Sequence, residues 1–390
     1  MNFPSSFISS DRVWLHSALL ALCFCGVLLL ASQSAASLAT YCLALSMVLS
    51  FSAWRDVFRC PMIWPVTAVL AYFVLTAIWS DNFTVRSFVS ALSRGLLTFC
   101  FVVAVGECQL RGLLHKWLTQ LLGFIGAGVG LVCIALFFSD RPDDGRLNGL
   151  GQLDTQVVAA LVFGFTLILL LHSALQDRAN ANMLWWRWCA IVILGTVVLL
   201  TGSRNALVSV SYGAVLLVLS HRMSSASRFT FVALGIAFAA VAMVGLAWFN
   251  TELREMWFPR GDSFRMIIWS ETLSRIISSP YFGLGILSSD DIHIEGLTFH
   301  HPHNLYLSAT AQGGVVGLAL LLWLLGRALR ELLRSYSETD AKLALGILGM
   351  ALPAYLLDGH ELLDKIGDTW FLIWFPVAIA LGLRWHATYR

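Results

Sequence analysis

The sequence predicts an all-α integral membrane protein with about twelve transmembrane helices and a long outside loop between helices nine and ten. Three observations support this fold class. Hydrophobic residues make up 58% of the 390 residues and charged residues only 12%, whereas soluble proteins carry roughly 25% charged residues. Apolar runs of membrane-spanning length recur along the chain, and basic residues concentrate on alternate loops. A soluble enzyme and a nucleic-acid-binding protein are therefore excluded.

Twelve apolar segments approach the length of about 20 residues that a transmembrane helix needs. The first is full length and lacks a small-residue cleavage site, so it is interpreted as a span and not as a signal peptide. The seventh and eighth are short and meet at Thr201-Gly202-Ser203-Arg204. In chain order the segments are 13–31, 34–53, 62–79, 88–106, 117–138, 156–175, 188–201, 204–220, 229–249, 304–326, 342–357 and 370–385.

The charge distribution predicts the orientation of these spans. With the N-terminus in the cytoplasm, 15 of the 25 Lys and Arg residues fall in cytoplasmic segments and five in short outside loops. Four more lie in the long outside loop, where the positive-inside rule does not apply, and Arg94 lies within a span. The sequence thus predicts a single polytopic membrane domain over residues 1–390, with both termini in the cytoplasm.

The cysteines and the cytoplasmic loops indicate on which side of the membrane an active site is expected. All eight cysteines fall in predicted spans or near the cytoplasmic face. Because disulfides form in oxidising compartments, this distribution indicates neither a disulfide framework nor a cysteine metal site. No cytoplasmic loop resembles a P-loop, so no ATP-driven step is indicated. Any active site is therefore expected on the outside.

The long outside loop, residues 250–303, is expected to carry active-site residues. Apolar residues at helical spacing predict an amphipathic helix from Asp262 to Ser279, lying on the membrane or under the spans. Asp262 or Ser263 is the expected N-cap, Pro280 ends the helix, and Gly283-Leu284-Gly285 forms a turn. Arg265 and Trp269 lie one turn apart on the same side of this helix.

Three outside arginines are candidate substrate-binding residues. Arg204 lies at a membrane boundary, Arg265 opens the loop helix, and Arg146 lies in a glycine-rich outside loop. A guanidinium near hydrocarbon is costly and is a functional candidate by default. Its planar fork matches phosphate oxygens and keeps its charge, so two such arginines suit a lipid diphosphate. The alternative interpretation is that each arginine extends to the phosphates of membrane lipids.

His303 is the candidate general base, because an imidazole exchanges protons near neutral pH and this one lies beside Asn304, where the chain re-enters the membrane. The alternative is an interfacial or helix-capping histidine. A divalent-metal site in the same loop is a weaker alternative, because its imidazoles and carboxylates show no recognisable ligand spacing, and no metal is predicted. The groups that would form it are Asp290, Asp291, His293, Glu295, His300 and His301.

Five groups of short motifs occur in order on this topology. They are Arg146-Leu147-Asn148-Gly149-Leu150-Gly151, Thr201-Gly202-Ser203-Arg204-Asn205, Ser263-Phe264-Arg265 with Trp269, Pro280-Tyr281-Phe282-Gly283-Leu284-Gly285, and His303-Asn304-Leu305-Tyr306-Leu307 with Gly313-Gly314 and Gly317. In these motifs the chain resembles the O-antigen ligase family, within a superfamily that also contains O-antigen polymerases and protein O-oligosaccharyltransferases. The resemblance covers the whole predicted topology.

The resemblance implies a reaction and a site. A member of this family would be an inverting glycosyltransferase that moves O-antigen glycan from undecaprenyl diphosphate to the lipid A-core oligosaccharide, on the periplasmic face of the bacterial inner membrane and without a cofactor. By motif match, Arg204 and Arg265 would hold the lipid diphosphate, and His303 would activate the acceptor hydroxyl. The second-rank candidates are Arg146, His300, His301, Asn304 and Trp269.

Three other functions remain as alternatives. An O-antigen or exopolysaccharide polymerase of the same superfamily would use nearly the same fold and chemistry. A lipid-linked sugar transporter is less favoured, because transporters place ionisable residues at the bilayer midplane and the polar residues here concentrate in outside loops. A metal-dependent membrane hydrolase is the last alternative, and retained activity in a chelator would exclude it.

Overall fold

The structure is a computed structural model, and it describes residues 10–28, 33–49, 54, 56–176, 181–249, 264–289, 291–294, 297–359 and 361–388. Within these ranges most of the chain is helical, and its strands form one two-stranded antiparallel hairpin. The predicted all-α class is confirmed.

Thirteen α-helices follow one another in the part of the chain that the structure describes. They are α1 (Ser10–Leu28), α2 (Gln33–Val48), α3 (Ile63–Thr76), α4 (Val85–Leu110), α5 (Thr119–Ser139), α6 (Gln156–Gln176), α7 (Ala181–Leu200), α8 (Arg204–Arg222), α9 (Ala226–Phe249), α10 (Arg265–Ser278), α11 (Leu305–Arg334), α12 (Thr339–Leu357) and α13 (Phe375–Thr388). Short 3₁₀ or π-helical segments are Ala77–Trp79, Leu114–Leu118, Gly151–Leu153 and Trp370–Trp374. The hairpin pairs β1 (Ile292–Ile294) with β2 (Leu297–Phe299).

Each of the twelve predicted apolar segments coincides with a helix, and α10 is the additional one. Among the described residues, six helices are long and apolar enough to cross a membrane: α4, α5, α6, α11, α12 and α13 with its π-helical start. Shorter apolar stretches lie within α1, α2, α3, α7 and α9. The chain is thus a multi-pass membrane protein, and the number of twelve spans stays a prediction.

An aromatic cluster packs the start of α13 into the core. Phe371 stacks on Phe24 of α1, with ring centroids 4.7 Å apart, and on Phe165 of α6 at 5.3 Å. Trp370 meets Phe101 of α4 at 4.9 Å. Such pairs add about 0.5–1.5 kcal/mol each beyond the area they bury. The segment between α12 and α13 is therefore fixed against three other helices.

A buried polar cluster links α1, α2 and α4. Nδ1 of His16 lies 2.7 Å from a carboxylate oxygen of Glu107, and Nε2 lies 3.0 Å from the hydroxyl of Ser46. His16 and Glu107 are each 1% exposed. Ionisable groups buried this completely are costly unless they are paired, so the cluster fixes the three helices relative to one another.

Helix α11 is broken at Gly313–Gly314, and the loop after α10 fills the break. Gly314 has a φ of 62°. Residues 280–285 pair the backbone groups that the break frees, donating two hydrogen bonds to α11 and accepting two from it. A Cβ on Gly314 would lie 2.2 Å from the carbonyl carbon of Tyr281, and one on Gly283 would lie 2.5 Å from the backbone of α11. Glycines at these positions therefore allow two backbones to touch.

Helix α3 and the 3₁₀ segment that follows it hold this loop in place. The hydroxyl of Tyr72 donates to the carbonyl of Gly313 at 2.6 Å, and Nε1 of Trp79 donates to the carbonyl of Gly283 at 3.2 Å. The loop, the broken helix and α3 consequently form one hydrogen-bonded unit.

The long loop agrees with its prediction in part. Helix α10 lies within the predicted amphipathic segment and ends before Pro280. Phe264 occupies the N-cap position in the left-handed region, with a φ of 64° and no capping hydrogen bond from its side chain. The predicted caps, Asp262 and Ser263, lie outside the described residues. The hairpin was not predicted, because its strands are only three residues long.

Candidate functional site

Several loops that were predicted to lie outside meet at one end of the bundle, which we call the site end. Nε of Arg146 donates to the carbonyl of Thr201 at 2.8 Å and joins the loop before α6 to the turn before α8. Nη2 of Arg265 donates to the carbonyl of Leu357 at 3.3 Å and joins α10 to the end of α12. The structure thereby brings candidate residues from separate loops into one region.

His303 precedes α11 in a constrained backbone conformation. Its φ of 51° lies in the left-handed region, which residues with a Cβ seldom occupy. Its N–H donates to Nδ1 of His301 at 3.3 Å. Asn304 caps α11 by accepting hydrogen bonds from the N–H groups of Tyr306 and Leu307, each at 3.0 Å. Strained residues that the surrounding structure holds in place cluster at functional sites.

The imidazole of His303 is paired with Asp358, the residue that follows α12. Nδ1 of His303 lies 3.2 Å from Oδ1 of Asp358, and the two side chains are 34% and 17% exposed. The carboxylate also accepts the N–H of Gly359 at 2.9 Å. When Nδ1–H donates to this carboxylate, Nε2 is the nitrogen left to accept a proton. This is the arrangement that a histidine base requires.

Asp358 is an ionised carboxylate at neutral pH. Burial by itself raises the pKa of Asp358, but hydrogen bonds from His303 and Gly359 and the nearby imidazole of His301 outweigh burial and hold the pKa below its ordinary value of 3.8. A lowered pKa means that the carboxylate stabilises the fold fully above its unfolded-state value. That stabilisation is lost only as the pH falls through the lowered pKa.

Arg265 presents a buried donor that the described residues do not satisfy. The side chain is half-buried, and one terminal nitrogen is used by the Leu357 carbonyl. Nε is buried and has no hydrogen-bond partner among the described residues. Buried N–H groups are nearly always paired in native proteins. An anionic oxygen would supply the missing acceptor and would be held by a charge-assisted hydrogen bond.

Arg204 begins α8 at the site end and is exposed. Ser203 caps the helix by accepting the N–H of Ala206 at 3.4 Å. The N-terminal end of a helix favours anions. The amide of Asn205 donates to the carbonyl of Ala354 at 3.0 Å, in the same last turn of α12 that holds Arg265. The two arginine-bearing elements are thus anchored to one helix end.

Arg146 acts on the turn before Arg204. Its Nε is bonded to the Thr201 carbonyl, and its side chain lies against Gly202, where an added Cβ would be 3.2 Å from Nε. Gly202 has a φ of 60°. Because its Nε donates to a backbone carbonyl, Arg146 stabilises this turn.

Trp269 connects α10 to the segment before α11. Its Nε1 donates to the carbonyl of Pro302 at 3.0 Å, directly before His303. Since α10 starts with Arg265, this bond links the helix that carries the arginine to the segment that carries the histidine. Trp269 and Asn304 therefore position His303.

His300 and His301 differ in their surroundings. His300 is exposed, and its Nδ1 lies 2.7 Å from a carboxylate oxygen of Asp291 beside the hairpin. The hydrogen bond from His300 lowers the pKa of Asp291. His301 instead packs on His303, with ring centroids 4.0 Å apart. The structure thus places His301 in the site and His300 at the hairpin.

The structure offers a candidate divalent-cation site, and its ligands differ from those of the metal site considered from the sequence. His301, His303 and Asp358 offer ligand atoms within 4.8 Å of one another, and imidazole with carboxylate suits several divalent metals. In that set, Nδ1 of His303 is bonded to Asp358, and Nδ1 of His301 accepts the His303 N–H. A metal bound through these Nδ1 atoms would replace both hydrogen bonds. Of the groups first considered, Asp290 and Glu295 lie outside the described residues.

The segment 358–369 was missed as part of the site. None of its acids is among the candidates from sequence, yet the carboxylate of Asp358 is bonded to His303. Arg94 lies 3.1 Å from Glu361 and 3.8 Å from Asp364, and these two ion pairs hold the segment against α4. One feature of the sequence could have identified Asp358: it is an acid directly after a predicted span, on the side of the membrane where His303 was predicted to lie.

Comparison with known proteins places the chain in a family. Residues 189–322 match the family described as O-antigen ligase. A Pseudomonas aeruginosa (strain PAO1) protein named O-antigen ligase is 30% identical over 331 residues, covering 83% of this chain and 78% of that protein. A Rickettsia typhi (strain Wilmington) protein, provisionally named a polysaccharide ligase, is 27% identical over 269 residues, covering 61% of this chain and 63% of that protein. A chain of a solved peptidoglycan synthase complex has a TM-score of 0.44 at 17% identity, covering 84% of this chain and 97% of that chain, a likeness too distant to define the fold.

The matched family segment contains Arg204, Arg265 and His303. The P. aeruginosa relative extends the similarity to most of both chains. This chain therefore belongs to the O-antigen ligase family.

Proposed function

We propose that the protein is a lipopolysaccharide O-antigen ligase. It transfers O-antigen glycan from undecaprenyl diphosphate to the lipid A-core oligosaccharide, at the periplasmic face of the inner membrane, by a metal-independent inverting reaction. One observation carries the proposal. An arginine whose buried Nε–H has no partner among the described residues and a histidine oriented by a carboxylate are both held against the end of α12. Membership of the O-antigen ligase family supports the reaction class.

The donor diphosphate lies between Arg265 and Arg204. Nε of Arg265 takes a phosphate oxygen as its acceptor, and Arg204 adds a second positive charge at the start of α8. Charge-assisted hydrogen bonds hold the diphosphate as substrate. They also stabilise the negative charge that develops as the glycosidic bond to the diphosphate breaks, which is the task a metal ion performs in other phosphate chemistry.

The acceptor is activated by His303. Nε2 removes the proton from an acceptor hydroxyl, and that oxygen attacks the anomeric carbon from the face opposite the diphosphate. A new glycosidic bond forms, the bond to the diphosphate breaks, and the configuration inverts. The proton stays on the imidazole, where the carboxylate of Asp358 stabilises the imidazolium.

The experiment is a lipopolysaccharide gel of a strain that lacks the gene, with the lipid-linked glycan pool extracted alongside. The strain is complemented with wild type, Arg265→Ala, His303→Ala and Arg275→Ala. Arg275 is the matched control, because it lies on the same helix and bonds the backbone carbonyls of Ser289 and Asp291 at the hairpin. We expect wild type and Arg275→Ala to restore the O-antigen ladder, and the other two variants to leave it absent.

The outcomes separate the candidate functions. Core without O-antigen, together with glycan accumulated on the lipid carrier, supports the ligase. Core that carries a single repeat unit indicates a polymerase instead. An unchanged ladder indicates that another polymer is the substrate. Transfer by purified protein should survive a chelator, and loss that is restored by a divalent cation would replace the metal-independent mechanism with a centre at His301, His303 and Asp358.

A further inference from the structure

Three side chains with metal-binding atoms meet at the proposed reaction centre. His301, His303 and Asp358 each offer one ligand atom, and these atoms lie within 4.8 Å of one another. All three side chains are partly buried. Two imidazoles and one carboxylate hold zinc in several enzymes, where water or substrate takes the fourth position. The three residues therefore have the composition of a three-ligand zinc site.

The separation of His303 and Asp358 suits a shared ion. Nδ1 lies 3.2 Å from Oδ1, which is longer than a strong charge-assisted hydrogen bond of about 2.7–2.9 Å. Two zinc bonds of about 2.0–2.1 Å at a tetrahedral angle place their ligand atoms roughly 3.3–3.4 Å apart. The largest separation in the set, 4.8 Å, exceeds this edge by at most about 1.5 Å. An ion between the three groups thus requires a small movement of one ring.

The segment that carries the two histidines is held in place before any ion binds. Pro302 lies between them, its ring fixes its φ, and its carbonyl accepts the Nε1–H of Trp269 at 3.0 Å. Asn304 caps α11, and the centroids of the two imidazole rings are 4.0 Å apart. Because the chain is already ordered here, little of the free energy of metal binding is spent on ordering it.

The charges around the three ligands favour reversible occupancy over a resident ion. Asp358 supplies the single carboxylate of the set. Arg265 donates to the carbonyl of Leu357, the preceding residue, at 3.3 Å, and its positive charge opposes a divalent cation close by. One carboxylate therefore compensates only part of the charge that an ion brings to this place.

We propose that His301, His303 and Asp358 form a reversible inhibitory site for zinc and chemically similar transition-metal ions, an inference whose inhibitory effect rests on the proposed function. A metal on Nδ1 of His303 moves the ring proton to Nε2, and a metal on Nε2 takes its lone pair directly. In either case no ring nitrogen is left to accept the proton of the acceptor hydroxyl. The ion lowers kcat and leaves the donor diphosphate at the arginines.

The ligand types determine which ions act. Imidazole suits zinc, copper and nickel, whereas magnesium and calcium prefer oxygen ligands. Zinc and copper therefore inhibit at concentrations at which magnesium and calcium have no effect. An ion that acted by binding the donor diphosphate would not follow this order, because phosphate oxygens are also good ligands for magnesium.

The first experiment measures zinc binding without substrate. Zinc is titrated calorimetrically into purified wild type, His301→Ala, His301→Cys and His300→Ala in detergent micelles. We expect His301→Ala to weaken binding at this site about 10-fold or more, and His301→Cys to retain it, because a thiolate also binds zinc. His300→Ala is the matched control, since His300 pairs with Asp291 at the hairpin, and it should bind as wild type. The eight cysteines of the chain are common to wild type and both alanine variants and do not affect their difference.

The second experiment measures glycan transfer from undecaprenyl diphosphate with increasing zinc. The rate of each protein is expressed as a fraction of its own rate in metal-free buffer. We expect zinc to lower kcat of wild type with little change in KM for the donor, and a chelator to restore the rate. His301→Ala should need about 10-fold more zinc for the same fractional loss, and His300→Ala should be inhibited as wild type.

The outcomes that overturn the proposal are distinct from failure of the proposed function. Equal zinc affinity in His301→Ala and wild type overturns it, and so does loss of binding in His300→Ala alone, which would place the ion at the hairpin. Zinc that binds without inhibiting, or that inhibits all proteins equally, overturns it as well. Activation by zinc overturns both the inhibitory site and the metal-independent mechanism. Binding that depends on His301, in a wild-type protein that transfers no glycan, supports the metal site and contradicts the proposed function alone.

Discussion

The carboxylate of Asp358 determines how the imidazole of His303 can act. It lies 3.2 Å from Nδ1 and is kept ionised by its hydrogen bonds. A histidine without such a partner exchanges its proton between both nitrogens and turns freely. Here the pair fixes the ring plane and, when Nδ1–H donates to the carboxylate, leaves Nε2 as the nitrogen that can accept a proton.

Asp358→Asn tests this role. The amide keeps the shape of the carboxylate, but it can donate to Nδ1 and so favours the wrong tautomer. We expect kcat to fall about 10²-fold or more, with little change in KM for the lipid donor. The measurement is glycan transfer by purified protein. Asp364→Asn is the control from the same segment, and equal turnover by Asp358→Asn and wild type would remove Asp358 from the mechanism.

Arg265→Lys tests the need for a guanidinium. Lysine keeps the charge but has no Nε–H and no planar fork, so it cannot satisfy a diphosphate and the Leu357 carbonyl together. We expect binding of undecaprenyl diphosphate to weaken more than about 10-fold, equivalent to roughly 1.4 kcal/mol. Arg275→Lys should bind as wild type. Binding by Arg265→Lys that equals wild type would show that only the charge of residue 265 matters.

The sequence was enough to select some residues of the candidate site, because residue type and a predicted helix boundary pointed to them. Arg204, Arg265 and His303 are polar groups at the ends of apolar or amphipathic segments, and the structure brings their elements together at the site end. Asp358 was not recognised, because one sequence does not show which of several outside acids faces a histidine 55 residues earlier. Their chemical roles stay predictions.

At the scale of elements, the break in α11 was invisible in the sequence for a physical reason. Glycine is more frequent in transmembrane helices than in soluble ones, so Gly313-Gly314 does not interrupt the predicted apolar span. The break is stabilised by the loop 280–285, which bonds its backbone, and by the hydroxyl of Tyr72, which bonds the carbonyl of Gly313. The helices themselves were predictable, because hydrocarbon requires every backbone group to be paired within its own segment.

Gly314→Ala tests the fit between this loop and α11. Alanine would need a φ near 62° and would place its Cβ 2.2 Å from the carbonyl carbon of Tyr281. We expect a loss of stability greater than about 1 kcal/mol and little transfer activity. Thermal unfolding in detergent measures the first effect. Gly128→Ala, where a Cβ meets nothing, should behave as wild type, and a Gly314→Ala protein as stable as wild type would refute the described packing.

At the scale of the whole molecule, stability and reaction are located in different places. The His16–Glu107 pair joins α1 to α4, while Arg94, nearer the start of α4, pairs with Glu361 in the segment after α12. Damage to the pair should therefore weaken the bundle without changing the chemistry of those molecules that remain folded.

Glu107→Ala tests this separation. Removing one member of a buried pair leaves the other without its partner, at a cost of about 3–5 kcal/mol. We expect a marked drop in thermal stability and a nearly normal kcat per folded molecule. Ser46→Ala, which removes the neighbouring hydroxyl, should have a smaller effect. An unchanged unfolding temperature in Glu107→Ala would show that the pair contributes nothing to stability.

The pairing of His303 with Asp358 also has a consequence for biosynthesis. The ribosome produces Arg204, then Arg265 and His303, and only then α12 and Asp358. Until α12 has entered the membrane, the carbonyl that holds Arg265 and the carboxylate that orients His303 are missing. Under the proposed mechanism, the site is therefore complete only when α12 and the residue that follows it have been inserted.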